Sequence, residues 1–476
     1  MARGSSVHVR VAAMAAGAVA VAAMAAPAAA VTSRTAAPHA SLVKVTWMAG
    51  YAAPGTPAKY NRVGIVKVGP ATAKNVLVIE PGTLAGAAYF APFAKWLVSM
   101  TPKWQVWTVE RRENLLEDQS YMDLYKRHSI TSQQLFDYYL GYLTKPSVKK
   151  HLHPVNPATV AFAKQWGMGV AVNDLHAVIT AAKKLGGKVL LGGHSLGGTI
   201  TTAYATWSFS GKPGAQDLAG LVYLDGGSGN TAVDVPTATS ELASLMATSA
   251  TPFEGFAGIP SPYAGLFVGT GSATAAQDPN AASLGQASKL LPKALVPAVP
   301  VTNLAQFAYA LNVATSPPGL AAAQAHLGAG LAAAGPVHGW DATGAITPVT
   351  RFAQMFQGAG YQSTDGSEWY FPTRLSLDAG AVDNGNANPA QAVLGVHSTL
   401  GAALPHALRL YGCMAALFGT AGITALQTLA SQSGIPSGNV TAIDEHAVYA
   451  HNDPIGAYPT NACMPALKTF LSSIAH

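Results

Sequence analysis

Lys188-Val-Leu-Leu-Gly-Gly-His-Ser-Leu-Gly-Gly198 is the stretch on which the reading of this chain turns. Residues 188–191 form a short apolar run of the buried-strand kind, and residues 195–208 read as a helix of small residues. Between them lies Gly193-x-Ser195-x-Gly197, the only G-x-S-x-G in the sequence. A serine on so sharp a strand-to-helix turn takes a strained backbone conformation that only small neighbours two residues away permit. The turn lifts the hydroxyl above the sheet edge at a helix N-terminus, where the N–H of Leu196 can face a developing negative charge. Ser195 is therefore the candidate nucleophile. His194, inside the same turn, is expected to pack locally.

Working outward, residues 41–47, 62–68 and 75–79 read as strands, 89–100 as a helix and 104–109 as a strand. A polar interval follows, with a helix at 132–143, and then a long helix is expected at 158–185, closed by Gly186-Gly187. Beyond the serine turn, 218–224 is again a strand. Such alternation implies an α/β fold with a mostly parallel central sheet and helices on both faces. From 226 to 405 the alternation dissolves into Ala-, Gly- and Pro-rich sequence with helices expected near 240–248, 304–314 and 320–334. A loop of that length without structure is improbable inside a domain, so a large, mainly helical cap inserted into the core is expected. Alternation resumes with a strand at 407–410, a helix at 426–433, a strand at 440–443 and a helix at 464–474. The organisation expected is a leader at 1–30, core at 31–225, cap at 226–405 and core again at 406–476.

With Pro81-Gly82-Thr83, Gly-His-Ser195-Leu-Gly, Leu-Val-Tyr-Leu-Asp225-Gly and His451-Asn-Asp-Pro454 in place, the chain resembles the α/β-hydrolase superfamily. Within it, it is similar to exported, cap-bearing serine hydrolases such as the secreted esterases and lipases of actinobacteria. The resemblance implies the α/β-hydrolase fold and the chain order Ser, acid, His. His451, on the loop after the last strand, is the expected base, with His446 the alternative. No Asp or Glu occurs between Asp383 and Asp444, so the strand near Leu408 cannot deliver the acid. Asp225, ending the strand after the serine helix, is the expected acid, holding the imidazole in its working tautomer; Asp378 and Asp444 are the alternatives. For the second oxyanion donor the resemblance points to the Thr83 N–H, with Leu84 next to it, beside that of Leu196. Glu110-Arg111-Arg112-Glu113, with Glu117 and Asp118, stands out in a charge-poor chain as a salt-bridged structural corner or a polar pocket wall.

The reaction implied is cleavage of a carboxylic ester, or a related acyl bond, through an acyl-enzyme, with no cofactor and no metal. The substrate is a small-molecule, lipid or polymer ester. An acyltransferase or an aminopeptidase on the same three residues is one alternative, and a catalytically silent ligand-binding module another. Arg3 and Arg10, the Ala/Val run at 11–26 and Ala28-Ala29-Ala30 have the order of a secretory signal peptide. The protein is therefore expected outside the cell, with no stable membrane span once the leader is cut. The formal charge of +6, lowered by two with the leader, is too mild and too scattered for nucleic-acid binding. Cys413 and Cys463 can pair in an oxidising compartment.

Overall fold

Leu77 and Ile79 turn to one face of their strand and Val76 and Val78 to the other, and all four are fully buried. The same period of two runs through the neighbouring strands, which gives a sheet with an apolar layer on each side. In this computed structural model, residues 42–227, 233–382, 388–399 and 404–475 are described; the expected leader lies outside them.

The eight strands are β1 (Thr46–Ala49), β2 (Arg62–Val68), β3 (Asn75–Glu80), β4 (Trp104–Glu110), β5 (Val189–Ser195), β6 (Gly220–Gly226), β7 (Arg409–Met414) and β8 (Val440–Asp444). Their order across the sheet is β8-β7-β6-β5-β3-β4-β2-β1. Every pairing from β8 to β4 is parallel, and only β2 with its two neighbours is antiparallel. One face carries α1 (Ala91–Met100), with Phe93 and Leu97 in its apolar layer. The other carries α2 (Met168–Lys183) and α3 (Leu196–Thr206), through Leu175, Val178, Ile179, Ile200 and Ala203.

Between β6 and β7 the chain makes a long excursion. It holds α4 (Tyr263–Gln277), α5 (Asn303–Leu311) and α6 (Val349–Gln357), among other helices that include Val235–Met246. The last part of the chain adds α7 (Gly419–Gln432) and α8 (Cys463–Ile474). Cys413, in β7, and Cys463, at the start of α8, form a disulfide. Closing a loop of that separation is worth roughly 4 kcal/mol in the chain-entropy account.

Two expected helices are corrected. Residues 158–185 are not one helix: a 3-10 helix at Pro157–Gln165 stops, and α2 starts at Met168. Trp166 is buried with its indole N–H on Thr56 Oγ1 at 3.0 Å. A Cβ at Gly167 would sit 2.1 Å from Asp378 Oδ2, whose carboxylate accepts the Met168 N–H at 2.9 Å. Asp378 thus caps α2 from a distant segment. Residues 320–334 are a 3-10 turn (Pro318–Ala323) followed by extended chain, with Gly330–Leu331 paired to Trp340–Asp341. Gly328 and Gly330 at φ +139° and +134° end the helical tendency of that alanine-rich stretch.

Candidate active site

Ser195 sits at the junction of β5 and α3 with φ +56° and ψ −127°, a strained region for a residue with a side chain. The turn closes only because its neighbours are glycine. A Cβ at Gly193 would lie 2.0 Å from the Gly197 carbonyl carbon, and one at Gly197 2.1 Å from the Glu80 carbonyl oxygen. Leu196 opens α3, where the first amides have no partner within the helix. Gly82 packs against the serine from the end of β3, a Cβ there falling 2.9 Å from Ser195 Cβ.

Asp225 is fully buried at the end of β6 and has φ +37°. Its carboxylate accepts His451 Nδ1 at 2.6 Å and the backbone amides of Ala415, Leu417 and Phe418 at 2.8, 3.3 and 3.2 Å. Burial pushes the Asp225 carboxyl up, but the His451 hydrogen bond and charge and the Ala415 amide together outweigh it and hold the group below its ordinary value. An ionised Asp225 accepts a hydrogen bond from His451 Nδ1–H, which leaves Nε2 as the lone-pair nitrogen. The strand ahead of those amides, β7, offers no carboxylate of its own; its loop supplies donors instead.

His194 does more than pack. Burial first, then the neighbouring His451, lowers its pKa to about 3, so the ring is neutral. Its Nε2 lies 2.9 Å from the His451 carbonyl oxygen, which only accepts, so Nε2 carries the proton. The serine turn thereby ties down the loop bearing His451. Two further anchors were not legible from the sequence. Asp453 accepts from His326 Nδ1 (2.6 Å), Thr347 Oγ1 (2.7 Å) and the Ala450 amide (2.8 Å). Asn452 is hydrogen-bonded to the Tyr89 hydroxyl and to the Gln324 carbonyl.

Ser195, His451, Gly82, Thr83 and Leu84 line one cavity, whose roof includes Phe256, Val268 and Leu311. Ser195 Oγ makes no hydrogen bond to His451 in this structure, a gap common before substrate tightens the site. The Thr83 N–H has no acceptor among the described residues. The alternatives lie elsewhere: Asp378 bonds Arg374 Nε at 2.6 Å, and Asp444 pairs with His446 at 2.7 Å at the exposed end of β8.

Of the charged run at the end of β4, Glu110, Arg111, Arg112 and Glu113 are buried and Glu117 and Asp118 half-buried. Arg112 grips Asp174, and Arg111 grips Glu368 while its guanidinium reaches the Pro81, Gly82 and Ala85 carbonyls, each at 3.0 Å. Burial raises Glu80 to about 7 and Glu110 to about 8, and pushes Glu113 and Glu117 well above the ordinary range. Glu368, the partner of Arg111, has no motif around it that marks it in the sequence.

No protein-family model and no curated protein sequence matches the chain. It is similar to a highly thermostable carboxyl esterase from Bacillus coagulans at 10% identity, over 91% of this chain and 98% of that one, with a TM-score of 0.40. An alpha/beta hydrolase fold protein from Nakamurella multipartita is 12% identical over 90% and 98% of the two chains, at 0.37. A thermophilic esterase from Thermogutta terrifontis is 11% identical over 91% and 99%, at 0.35. By its own strand order and the strained serine turn between its central strand and α3, this chain has the α/β-hydrolase fold.

Proposed function

We propose that the protein is a serine hydrolase cleaving carboxylic esters through an acyl-enzyme, with Ser195 as nucleophile, His451 as base and Asp225 as the supporting acid. One observation carries the reading: the buried Asp225–His451 pair opens onto the same cavity as a serine held at φ +56°. Ser195 Oγ attacks the ester carbonyl as its proton passes to His451 Nε2. The imidazolium so formed is balanced by Asp225 across Nδ1–H. The negative oxygen of the tetrahedral intermediate is met by the Leu196 and Thr83 amides. Collapse expels the alcohol, which takes the proton from Nε2, and water then repeats the sequence to release the acid.

The excursion between β6 and β7 serves in this reading as the cap that roofs the cavity. Export is part of the proposal: the basic-then-apolar N-terminus and the Cys413–Cys463 disulfide support it. Among the described residues no helix is long and apolar enough to cross a membrane.

Treatment with a fluorophosphonate, followed by mass spectrometry, is expected to place one label on Ser195. Ser195→Ala should fold as the parent does, take no label and lose ester turnover by about 10⁶-fold. Labelling of the alanine variant at the parent rate would overturn the assignment.

A further inference from the structure

A second cavity lies beside the Ser195 cavity. Its cavity volume is about 110 Å³. The two share Phe256, Ala264, Val268, Leu311 and Ala323 as common walls. Away from the serine the walls are Phe136, Phe267, Phe307 and Leu320, with Gly271 on α4 and Ala310 on α5. The polar side chains there are turned to the backbone: Thr270 to the Leu266 carbonyl, Thr274 to the Thr270 carbonyl, Asn303 to the Asp278 carbonyl. Gln306 Oε1 is the exception, a single buried acceptor without a partner.

We infer that this cavity receives an extended hydrocarbon arm of the ester whose carbonyl is cleaved at Ser195, which makes the substrate class long-chain aliphatic esters. The inference rests on the serine-hydrolase reading above for the reaction, though not for the binding. A wall with almost no free hydrogen-bonding group rewards hydrocarbon and penalises anything that must surrender water. Each methylene taken up should strengthen binding roughly fourfold.

Gly271 gives the cleanest obstruction. A Cβ built there meets only Phe307 Cδ2, at an ordinary contact distance of 3.8 Å, so a side chain can start from that position, and Gly271→Leu narrows the cavity while favouring the helix. Calorimetric titration of laurate and of decanol into Ser195→Ala reads the cavity without turnover, and distinguishes an acyl arm from an alcohol arm. One of the two is expected to bind with a negative heat-capacity change, and Gly271→Leu or Ala310→Phe in that background should weaken it at least tenfold. In the catalytically intact protein, Gly271→Leu should lower kcat/KM for a twelve-carbon ester tenfold or more while p-nitrophenyl acetate stays within twofold. Absence of binding by both probes, or binding untouched by both obstructions, overturns the inference. Laurate or decanol binding without any labelling of Ser195 would instead overturn the hydrolase reading and leave the cavity assignment standing.

An independent observation concerns Arg111. In a trans peptide the carbonyl and the following N–H point in opposite directions. Arg111 Nη2 holds the Gly82 carbonyl at 3.0 Å, and so turns the Thr83 N–H away from itself, on a loop that packs against Ser195. The Pro81 and Ala85 carbonyls are held by the same guanidinium, itself clamped by Glu368. The geometry points to Arg111 as a positioning residue that fixes the oxyanion-binding loop. Arg111→Lys keeps the charge but not the fork that spans three carbonyls. Arg111→Lys and Arg111→Met should lower kcat ten- to a hundredfold with KM within threefold, and weaken a trifluoromethyl ketone, which forms a tetrahedral oxyanion on serine, by a similar factor. A purely structural arginine would lower Tm and leave kcat per folded molecule and ketone affinity unchanged. If the methionine variant does not fold, a lysine variant with kcat within twofold of the parent is sufficient to overturn the assignment.

Discussion

Two buried groups of charges flank Ser195, and they treat a carboxyl group in opposite ways. Asp225 has one partner ring and three backbone amides, and these donors hold it ionised although it is fully buried. Around Arg111, by contrast, Glu80, Glu110, Glu113, Glu117, Asp365 and Glu368 crowd two cations, Arg111 and Lys126. There burial prevails over the donors, and Glu80 and Glu110 take up protons near neutral pH. The lesson is that depth alone does not set the state of a carboxyl, and neither does donor number. Glu117 accepts three hydrogen bonds and is still raised, by burial and by the neighbouring Asp365 and Glu368, whereas Asp225 faces an imidazole. A cluster that only holds a loop manages with protonated members.

The largest expected effect comes from removing the charge that faces the imidazole. Asp225→Asn keeps the shape but cannot balance an imidazolium, and it favours the wrong tautomer. The expected loss in kcat is about 10⁴-fold, as in a serine protease with the same change, with Tm near that of the parent. Steady-state kinetics on one ester checks it, and a variant within tenfold of the parent would erase the contrast between the two groups.

The second effect belongs to the crowded cluster and is one of stability. Glu110 ionises near pH 4.5 when unfolded and near 8 when folded, with Glu80 shifted in the same sense. The native state therefore holds extra protons between those values. The stability they contribute is fully present below the unfolded pKa and is lost as pH rises through the folded one, at no more than about 1.36 kcal/mol per pH unit for each group. Thermal melts should give a lower Tm at pH 9 than at pH 6.5, and Glu110→Gln should flatten that slope. An equal slope in both proteins would show that Glu110 is ionised throughout.

The smallest effect is expected at the exposed rim. Asp444 and His446 pair with each other in solvent, where such pairs contribute roughly 0–1 kcal/mol. Asp444→Asn and His446→Ala should each leave kcat/KM within about twofold. A large loss in either would mean that the base lies there and not at residue 451.

What was legible in the sequence was what local chemistry writes. The strand, serine turn and small-residue helix at 188–208 could be read because the glycines at 193 and 197 have one steric reason to be there. The carboxylate-free interval before Asp444 directs attention to Asp225, which is the penultimate residue of β6. The break at Trp166-Gly167 was not legible, because what stops the helix is Asp378, more than two hundred residues away. The charged run at 110–118 announced itself by composition. Its partners Asp174 and Glu368 did not, since neither sits in a motif and the fold alone brings them to the arginines.

The donors that hold Asp225 are main-chain amides of Ala415, Leu417 and Phe418, not side chains. Evolution can therefore rewrite the letters of that loop and leave its grammar intact. A saturation library at these three positions, scored for ester turnover, should tolerate broad replacement wherever packing allows. Proline, which has no N–H to give, should be the one residue purged at all three. The strip of chain that keeps the acid ionised would then look unremarkable in any comparison of letters, while constraining every sequence that passes through it.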